Sequence, residues 1–399
     1  MEAIRWTMNQ MPACDDSWSA LMALDQVEKV RTFHRSFPQY SPTPLRALSA
    51  MAKELGLGGL YVKDESYRFG LNAFKVLGGS YAIARQIASQ TGQPMERMTF
   101  AYLSSPELRS VLTPTTFYTA TDGNHGRGVA WAAKQLGQHA VVRMPKGTSQ
   151  SRLENIRKEG ATVTIEEMNY DDCVRLAAGE AAENPGSVLM QDTAWPGYEE
   201  IPGWIMQGYG TMADEAAEQM ENDAQQVPTH VFVQAGVGSL AGAIAGYFAN
   251  RFPEQPPKVI VVEAAAAACH YQSALAGEIH TVEGDLSTMM AGLACGEPNP
   301  VSWSILRNHA AAFVSCPDWV SALGMRMLAA PIHGDAAITS GESGAVGMGL
   351  LAALMKDERC RELRNALELN QNSHVLLFST EGDTDPEHFR RVVWGGEER

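Results

Sequence analysis

Residues 229–250 read THVFVQAGVGSLAGAIAGYFAN, and residues 258–264 read KVIVVEA. The first segment begins as a β-branched, apolar run typical of a buried strand, passes through a glycine loop, and continues as an apolar helix over 239–250. The second segment is another buried strand. A strand, a helix and a second strand in this order predict a right-handed unit with two parallel strands. The sequence therefore predicts an α/β fold.

The same alternation extends outward over the rest of the chain. Helices are predicted at 73–89, 127–137, 149–161 and 170–183, and further strands at LYVKD (60–64), TFYTATD (116–122), HAVVRMP (139–145), TVTIEE (162–167), SVLMQD (187–192) and HVLLFSTEGD (374–383). The segment from Tyr102 to Thr113 is expected to be a surface loop. Ligands of open parallel sheets bind beyond the carboxyl ends of the strands, so we expect a site there.

Charge and cysteine content narrow the class of partner and the compartment. The net charge is −15, which disfavours nucleic acid and anionic membrane surfaces and makes a cationic or zwitterionic small molecule easier to accept. The six cysteines are scattered without a CxxC pair, although Cys269 and Cys295 could approach each other. Such usage is typical of a reducing compartment. With no signal peptide and no membrane span visible, we expect a cytoplasmic protein.

Lys75 in RFGLNAFKVLGGS (68–80) is the first candidate for chemistry. Asn72 is predicted to cap a helix that starts near Ala73, which would place Lys75 in its first turn. The helix dipole and apolar neighbours such as Phe74 would then disfavour the protonated amine. A neutral amine is what Schiff-base chemistry needs. The alternative is a solvated lysine on a helix face.

A glycine-rich turn in TATDGNHGRGVA (119–130) is the second candidate. After a strand that ends at Thr121, backbone amides and the Asn124 side chain could hold a carboxylate or a ring hydroxyl. Asp122 and His125 add two titratable groups. The alternative is an ordinary strand-to-helix loop.

The loop at 236–240 is the third candidate, because amides at the start of a helix can hold a phosphate. The same string satisfies G-x-G-x-x-A with Ala241 in the last place, and Glu263 ends the next strand as a dinucleotide site requires. This segment alone leaves pyridoxal phosphate and NAD both open.

A fourth candidate, FSTEGDTD (378–385), ends a strand in two hydroxyls, one of which could bond a heterocycle nitrogen; the alternative is a plain acidic turn. Asp192 ends another apolar strand and would face the same crevice as Asp122. Tyr170 could line the entrance, and Glu342 could be a helix cap or a site residue. No metal-ligand spacing, Walker loop or serine elbow is present, so no metal and no serine triad are predicted.

Taken together, these motifs identify a family by resemblance. The segments that carry it are KDESYRFGLNAFK, ATDGNHGRGVAWAA, MNYDD, QDTAWPGY, IPGWIMQGYGTMADE, QAGVG, MAGLACGEPNP, SGESGAVG and STEGDTD, and the resemblance extends from residue 43 to about residue 394. The chain resembles the fold-type-II (tryptophan-synthase-β-like) pyridoxal-phosphate enzymes, and within them the diaminopropionate ammonia-lyase branch. The wider family commonly reads S-x-G-N where this chain has Thr121-Asp122-Gly123-Asn124, and the added carboxylate is typical of that branch.

The resemblance implies two open, mostly parallel sheet domains with pyridoxal 5'-phosphate in the cleft between them. A large, discontinuous cofactor-anchoring domain would comprise residues 1–94 and 207–399, and a small mobile domain carrying the Asn124 loop would comprise residues 95–206. Homodimers are usual in this family.

The resemblance also implies residue roles. Lys75, Asp122 and Asp192 would be catalytic. The cofactor would be bound by Phe74, Lys75, Asn124, Gly236, Val237, Gly238, Ser239, Leu240 and Thr380, with Asn124 at the ring hydroxyl, the amides of 236–240 at the phosphate and Thr380 at the ring nitrogen. The substrate would be bound by Thr121, Asp122, His125, Tyr170 and Asp192.

The implied activity is that of a carbon–nitrogen lyase, which eliminates ammonia from a small diamino acid, 2,3-diaminopropionate of either hand, to give pyruvate and two ammonia. A serine/threonine dehydratase or a racemase of the same family is one alternative, but the extra carboxylate of Asp122 is evidence against it. An NAD-dependent oxidoreductase and a non-catalytic binding protein are the others.

Overall fold

The computed structural model describes residues 2–398 of the 399-residue chain. Within them the strands are β1 (Arg5–Met8), β2 (Leu45–Ala47), β3 (Gly59–Asp64), β4 (Thr116–Ala120), β5 (His139–Met144), β6 (Thr162–Ile165), β7 (Ser187–Leu189), β8 (His230–Gln234), β9 (Lys258–Ala264), β10 (Ala310–Cys316) and β11 (His374–Ser379). They form two separate sheets.

Helices cover both sheets. Their bounds are α1 (Leu24–Arg35), α2 (Ser49–Leu55), α3 (Val76–Thr91), α4 (Phe100–Leu103), α5 (Pro106–Val111), α6 (Asn124–Gln135), α7 (Gln150–Lys158), α8 (Tyr170–Glu183), α9 (Glu200–Asp223), α10 (Ser239–Arg251), α11 (Cys269–Ala276), α12 (Pro300–His309), α13 (Asp318–Ala329), α14 (Val346–Lys356), α15 (Arg361–Leu367) and α16 (Pro386–Val393). Short 3₁₀ turns lie at Ser17–Met22, Glu65–Gly70, Met95–Arg97, Ala265–Ala267, Ala291–Leu293 and Glu358–Cys360. None of the helices in residues 2–398 combines the length and the apolar character that a membrane crossing needs.

The larger sheet has seven strands in the order β1-β10-β9-β8-β11-β3-β2. Its five central strands are parallel, and the edge strands β1 and β2 are antiparallel to their neighbours. Strand β11, near the end of the chain, lies between β8 and β3 and bonds to both. The predicted order of β8, α10 and β9 and the parallel pairing of the two strands are confirmed, and the fold is α/β as predicted.

The smaller sheet has four parallel strands in the order β6-β5-β4-β7. All four come from residues 116–189, between β3 and β8 of the larger sheet. The apolar side chains of β4 and β5, such as Phe117 and Val142, are fully buried beneath α6 and α8. The carboxyl end of β4 leads directly into the Asn124 loop.

Helix α3 joins the two sheets because it packs closely on both α6 and α9. A Cβ atom at Gly128 of α6 would lie 2.8 Å from the Cα of Val76, and one at Gly208 of α9 would lie 2.4 Å from the carbonyl oxygen of Leu77. Both distances are too short for any side chain, so glycine is required for this approach. The amino-terminal end of α3, next to Lys75, is thereby held between the two sheets.

Two local predictions are wrong. Asn72 does not cap α3: it has a φ of 60°, its side chain donates to Asp383, and the helix begins only at Val76, after Lys75. The segment from Tyr102 to Thr113 is largely helical, in α4 and α5, because Thr99 and Ser105 cap two short helices.

Strand β10 was not predicted. Its sequence, AAAFVSC, begins with three alanines that favour a helix, and only its place beside β9 makes it a strand.

Candidate active site

A pocket lies where the carboxyl ends of the strands of both sheets face each other. Thr121 follows β4 and Asp192 follows β7 in the smaller sheet, while Gly236 follows β8 and Thr380 follows β11 in the larger one. The structure brings together at this pocket every residue for which a site role was predicted: Phe74, Lys75, Thr121, Asp122, Asn124, His125, Tyr170, Asp192, Gly236, Val237, Gly238, Ser239, Leu240 and Thr380. Their individual roles stay predictions.

Lys75 reaches into the pocket with 18% of its side chain exposed, and its Nζ forms an ion pair with Oδ2 of the buried Asp192. Burial alone would lower the pKa of the amine, but the Asp192 carboxylate, with Tyr209 and Asp122 nearby, outweighs burial and raises that pKa. The prediction of a lowered pKa is therefore wrong for this structure. The prediction failed because it used only the apolar neighbours of Lys75 in the sequence, whereas the partner Asp192 lies 117 residues away.

Asp192 is bonded to several neighbours in the pocket. Burial would raise the pKa of its carboxyl, but the charge of Lys75 and hydrogen bonds from Lys75 and Tyr170 hold that pKa below its usual range. The Tyr170 hydroxyl donates to Oδ1 over 3.3 Å. Asp192 is therefore a fixed, buried anion in the lining of the pocket.

His125 is fully buried beside Asp192, and burial lowers the pKa of its imidazole. Its Nε2 lies 2.8 Å from the carbonyl oxygen of Met190 and donates to it, which leaves Nδ1 as the acceptor nitrogen. Nδ1 lies 3.8 Å from Asp192 Oδ2 and has no hydrogen-bond partner within residues 2–398. A neutral imidazole with a free acceptor nitrogen can receive a donor from a bound molecule.

The glycine loop between β8 and α10 forms one wall of the pocket. A Cβ at Gly238, where φ is 97°, would lie 2.3 Å from His270 Nε2, and one at Gly236 would lie 2.9 Å from the Gly292 carbonyl oxygen. Only glycine fits at either place. Residues 236–240 line the pocket at the start of α10, where an anion is favoured by the helix dipole.

Thr380 follows β11, the strand that pairs with β8. The Gln234 side chain donates to Thr380 Oγ1 over 2.8 Å, and the Thr380 carbonyl accepts from the Phe74 amide over 3.1 Å. Because Oγ1 already accepts a hydrogen bond, its own proton is left to donate. Such a hydroxyl suits an unprotonated ring nitrogen.

Asn124 is the first residue of α6, and its Nδ2 donates to Oε2 of the buried Glu381. Burial raises the pKa of the Glu381 carboxyl, and repulsion by Glu342 adds to this, against the attraction of Arg152. The other oxygen of Glu381 accepts from the Ser343 amide over 3.0 Å. Asn124 is thus oriented by a carboxyl group that the sequence analysis did not single out.

Several pocket residues were missed: Tyr209, Gln234, Cys295, Ser343 and Glu381. The Tyr209 hydroxyl is buried and has no hydrogen-bond partner among the described residues. Tyr209 and Glu381 lie inside the segments IPGWIMQGYGTMADE and STEGDTD, which carry the family resemblance, and membership of those segments was the available signal. Glu342, left open as a cap or a site residue, is buried and ion-paired to Arg152 and His388 beside the pocket.

The dinucleotide alternative fails at Glu263. Its carboxylate is buried and accepts from the amides of His270 and Tyr271, over 2.8 and 2.7 Å, at the start of α11. It is committed to that helix and does not line the pocket. Cys269 and Cys295 are both buried free thiols in this structure.

Comparisons with known proteins agree with this geometry. A family model described as "Pyridoxal-phosphate dependent enzyme" matches residues 37–380. The chain is 53% identical to the diaminopropionate ammonia-lyase of Salmonella typhimurium, with 92% of each chain covered. It is 50% identical to that of Escherichia coli K12, with 95% of this chain and 94% of the relative covered.

Solved structures of the Escherichia coli enzyme are similar throughout. The complex with D-serine has a TM-score of 0.93 at 48% identity, and the complex with an aminoacrylate-PLP azomethine reaction intermediate has 0.90 at 47%. Both comparisons cover 99% of this chain and 98% of the other. The chain therefore belongs to the pyridoxal-phosphate dependent enzymes, in the family of the diaminopropionate ammonia-lyases.

Proposed function

We infer that the protein is a carbon–nitrogen lyase that converts 2,3-diaminopropionate to pyruvate and two molecules of ammonia. One observation supports this inference above others: besides the Glu381 carboxyl that is bonded to Asn124, the Lys75 amine shares its pocket with the carboxylates of Asp192 and Asp122. Carboxylates attract the extra ammonium group that distinguishes a diamino acid from serine or threonine. The serine/threonine dehydratase alternative does not account for that second negative charge.

The residues present fit pyridoxal phosphate. The amides of 236–240 would hold its phosphate, Asn124 its ring hydroxyl, Thr380 its ring nitrogen and Lys75 its aldehyde carbon, with Phe74 beside it. When bound, the cofactor supplies a conjugated ring that withdraws electrons from the substrate α-carbon. Because Thr380 is a neutral hydroxyl and not an acid, it would leave the ring nitrogen unprotonated, which would favour elimination over transamination.

The protein's own residues would move the protons. Lys75 would take the α-proton of the L-substrate from one face, and Asp122 would take that of the D-substrate from the opposite face, so that both enantiomers react. Thr121, His125 and Tyr170 would bind and orient the substrate. The Asp192 carboxylate, fixed by Lys75 and Tyr170, would attract the β-ammonium group.

The overall reaction balances with one water. The β-carbon–nitrogen bond breaks with its electron pair on nitrogen, and the first ammonia leaves. The remaining three-carbon enamine takes up one water, releases the second ammonia and becomes pyruvate.

We also propose a domain organisation, a cellular location and an oligomeric state for this enzyme. The seven-stranded sheet uses strands only from residues 1–94 and 207–399 and the four-stranded sheet only from 95–206, which supports a large cofactor-anchoring domain and a small mobile one with those bounds. All six cysteines are free thiols, which suits a cytoplasmic location. A homodimer is proposed by family resemblance.

The direct test is a pyruvate assay on the holoenzyme with D- and L-2,3-diaminopropionate, serine and threonine. We expect kcat/KM to be highest for the diamino acid, and we expect the visible absorption of the bound cofactor to change when it is added. A protein that binds pyridoxal phosphate but prefers serine or threonine would contradict the substrate assignment. A protein that stays colourless with added cofactor would contradict the whole proposal.

A further inference from the structure

A second layer of charge lies directly behind Asp122. The Arg152 guanidinium, whose side chain is only 7% exposed, places Nη1 at 3.3 Å from Asp122 Oδ2 and Nη2 at 3.3 Å from Glu342 Oε2. Glu342 Oε1 in turn lies 2.7 Å from His388 Nδ1. The four side chains form a continuous chain of charged contacts.

Arg152 also holds the loop that carries Asp122. It belongs to α7, and a Cβ atom at Gly123 would lie only 3.2 Å from Arg152 Cδ. The aliphatic part of Arg152 therefore packs against the backbone next to Asp122, while its charged end binds the Asp122 side chain. Both contacts fix the same two residues of the loop.

Glu342 connects this arrangement to the larger sheet. Arg152 belongs to the segment that forms the four-stranded sheet, whereas Glu342 lies just before α14, a helix that packs on the seven-stranded sheet. Burial would lower the pKa of the Arg152 guanidinium, but the carboxylates of Glu342 and Asp122 outweigh burial and raise it. Arg152 is therefore a permanent cation between the two sheets.

Only one oxygen of Asp122 is taken up by this contact. Arg152 binds Oδ2, and no hydrogen bond reaches Oδ1 from any residue in 2–398. Asp122 lines both the active-site pocket and an adjoining cavity of about 600 Å³ that also contains Arg152, Glu342 and His388. Arg152, Glu342 and His388 line the cavity and not the active-site pocket, and Oδ1 of Asp122 is left without a hydrogen bond from the described residues.

We propose that Arg152 is a positioning residue for the elimination: it holds the Asp122 carboxylate with one oxygen toward the substrate, and Glu342 fixes Arg152 in that position. This inference rests on the proposed function. The orientation of the Asp122 carboxylate would then depend on the contact between Arg152 and Glu342, which connects the two sheets. Loss of Arg152 should then weaken the reaction on the enantiomer that uses Asp122 as base more than the reaction on the other.

The test compares kcat/KM for D- and L-2,3-diaminopropionate in the same preparation, so that differences in folded or cofactor-loaded fraction cancel in the ratio. Since Lys75 serves the L-substrate and Asp122 the D-substrate in the proposed reaction, Arg152→Gln should lower the D value by roughly 10- to 100-fold, the range known for residues that orient metal ligands. The L value should change much less. Asp122→Asn should move the ratio in the same direction and further.

Arg143→Gln is the matched control. Arg143 lies on β5 of the same sheet and forms an ion pair with Glu180 over 2.7 Å, away from both cavities. Its loss should leave the D-to-L ratio unchanged. If Arg152→Gln yields no soluble protein, Arg152→Lys and Glu342→Gln are measured on the same ratio, and both should lower it by smaller factors.

The outcomes separate the two claims. A wild-type enzyme that forms no pyruvate from either enantiomer overturns the proposed function and this assignment with it. A wild-type enzyme active on both, with an unchanged ratio in Arg152→Gln, or in Arg152→Lys where that variant decides, overturns the role of Arg152 alone.

Discussion

Two buried clusters of charge in this molecule are built from the same kinds of residue and differ in how completely their atoms are bonded. In the first, Lys63, Glu65, Arg68 and Glu215 have side chains at most 1% exposed, with ion-pair distances of 2.7–2.8 Å. In the active-site cluster, Lys75 and Asp122 are 18% and 16% exposed, and the nitrogen Nδ1 of His125 has no partner among the described residues. We call these the closed and the open cluster.

The difference indicates what each cluster is for. Every charge of the closed cluster is matched by a neighbour, as a buried ion pair must be if it is not to destabilise the fold. The open cluster keeps donors and acceptors that no protein atom uses, and such perturbed, incompletely paired groups are typical of functional sites. Changes in the two clusters should therefore be distinguishable by experiment.

The largest effect is expected from Lys75→Arg. Arginine can keep the ion pair with Asp192, but its guanidinium stays protonated and forms no Schiff base. Pyruvate formation should fall by at least ~1,000-fold, as when other covalent catalysts are removed. Borohydride reduction followed by peptide mapping should find the cofactor on Lys75 in the wild type and not in the variant. A label on another lysine would refute the assignment.

The next effect is expected from Asp122→Asn, which removes the second proposed base of the open cluster. The rate on the D-substrate should fall about 100- to 10,000-fold, the usual range for acid–base catalysis. The L-substrate should be affected far less. Steady-state kinetics on both enantiomers decides this, and loss of activity on the L-substrate with the D-substrate spared would show the roles to be reversed.

In the closed cluster, Arg68→Met should change stability and not chemistry. It leaves the carboxylates of Glu65 and Glu215 without their shared cation, which typically costs about 3–5 kcal/mol of unfolding free energy. Urea unfolding measures the loss, and the D-to-L activity ratio of the folded enzyme should stay at the wild-type value. A stable variant with a changed ratio would remove the distinction between the clusters.

The smallest expected effect concerns pH. His34 is fully buried near the closed cluster, bonded to Thr211 Oγ1 at 2.7 Å and to the Leu77 carbonyl at 3.0 Å, and burial, with the charge of Arg68, lowers the pKa of its imidazole to about 3. In the unfolded chain the imidazole takes up a proton below pH about 6.5, whereas in the folded protein it stays neutral. Its contribution to stability is therefore complete above pH about 6.5 and is lost as the pH falls toward 3.

Between pH 7 and pH 5 this loss amounts to about 2 kcal/mol. Unfolding free energies of the wild type and His34→Gln across that range test it, and the variant should show a correspondingly flatter dependence. His139→Gln serves as the control, since His139 is exposed at the start of β5. Equal slopes for the wild type and His34→Gln would contradict the argument.

The fold class could be predicted from the sequence because the pattern that indicates it lies in consecutive residues. The run from β8 through α10 to β9 shows its strand and helix character in consecutive residues, and the structure confirms it. The gathering of Lys75, Asp122, Asn124 and Thr380 at one pocket also followed, because each lies near a strand end and the family resemblance joins them.

What could not be predicted depends on contacts between distant parts of the chain. The ion pair of Lys75 with Asp192 reverses the expected shift of the lysine pKa, and no pattern around Lys75 announces it. Likewise, Glu263 occupies the place of a dinucleotide-site acid in the sequence, but its carboxylate accepts hydrogen bonds from amides at the start of α11. Hydrogen-bond partners of this kind are visible only in three dimensions.

The position of β11 has a consequence for biosynthesis. Because β11 fills the gap between β8 and β3, a nascent chain that has not yet emerged past residue 379 holds two half-sheets with no hydrogen bonds between them. Thr380, directly after that strand, reaches its place at the same moment. We therefore expect the enzyme to acquire its cofactor only after translation is nearly finished, and a stop codon before β11 to leave a chain that cannot assemble its catalytic centre.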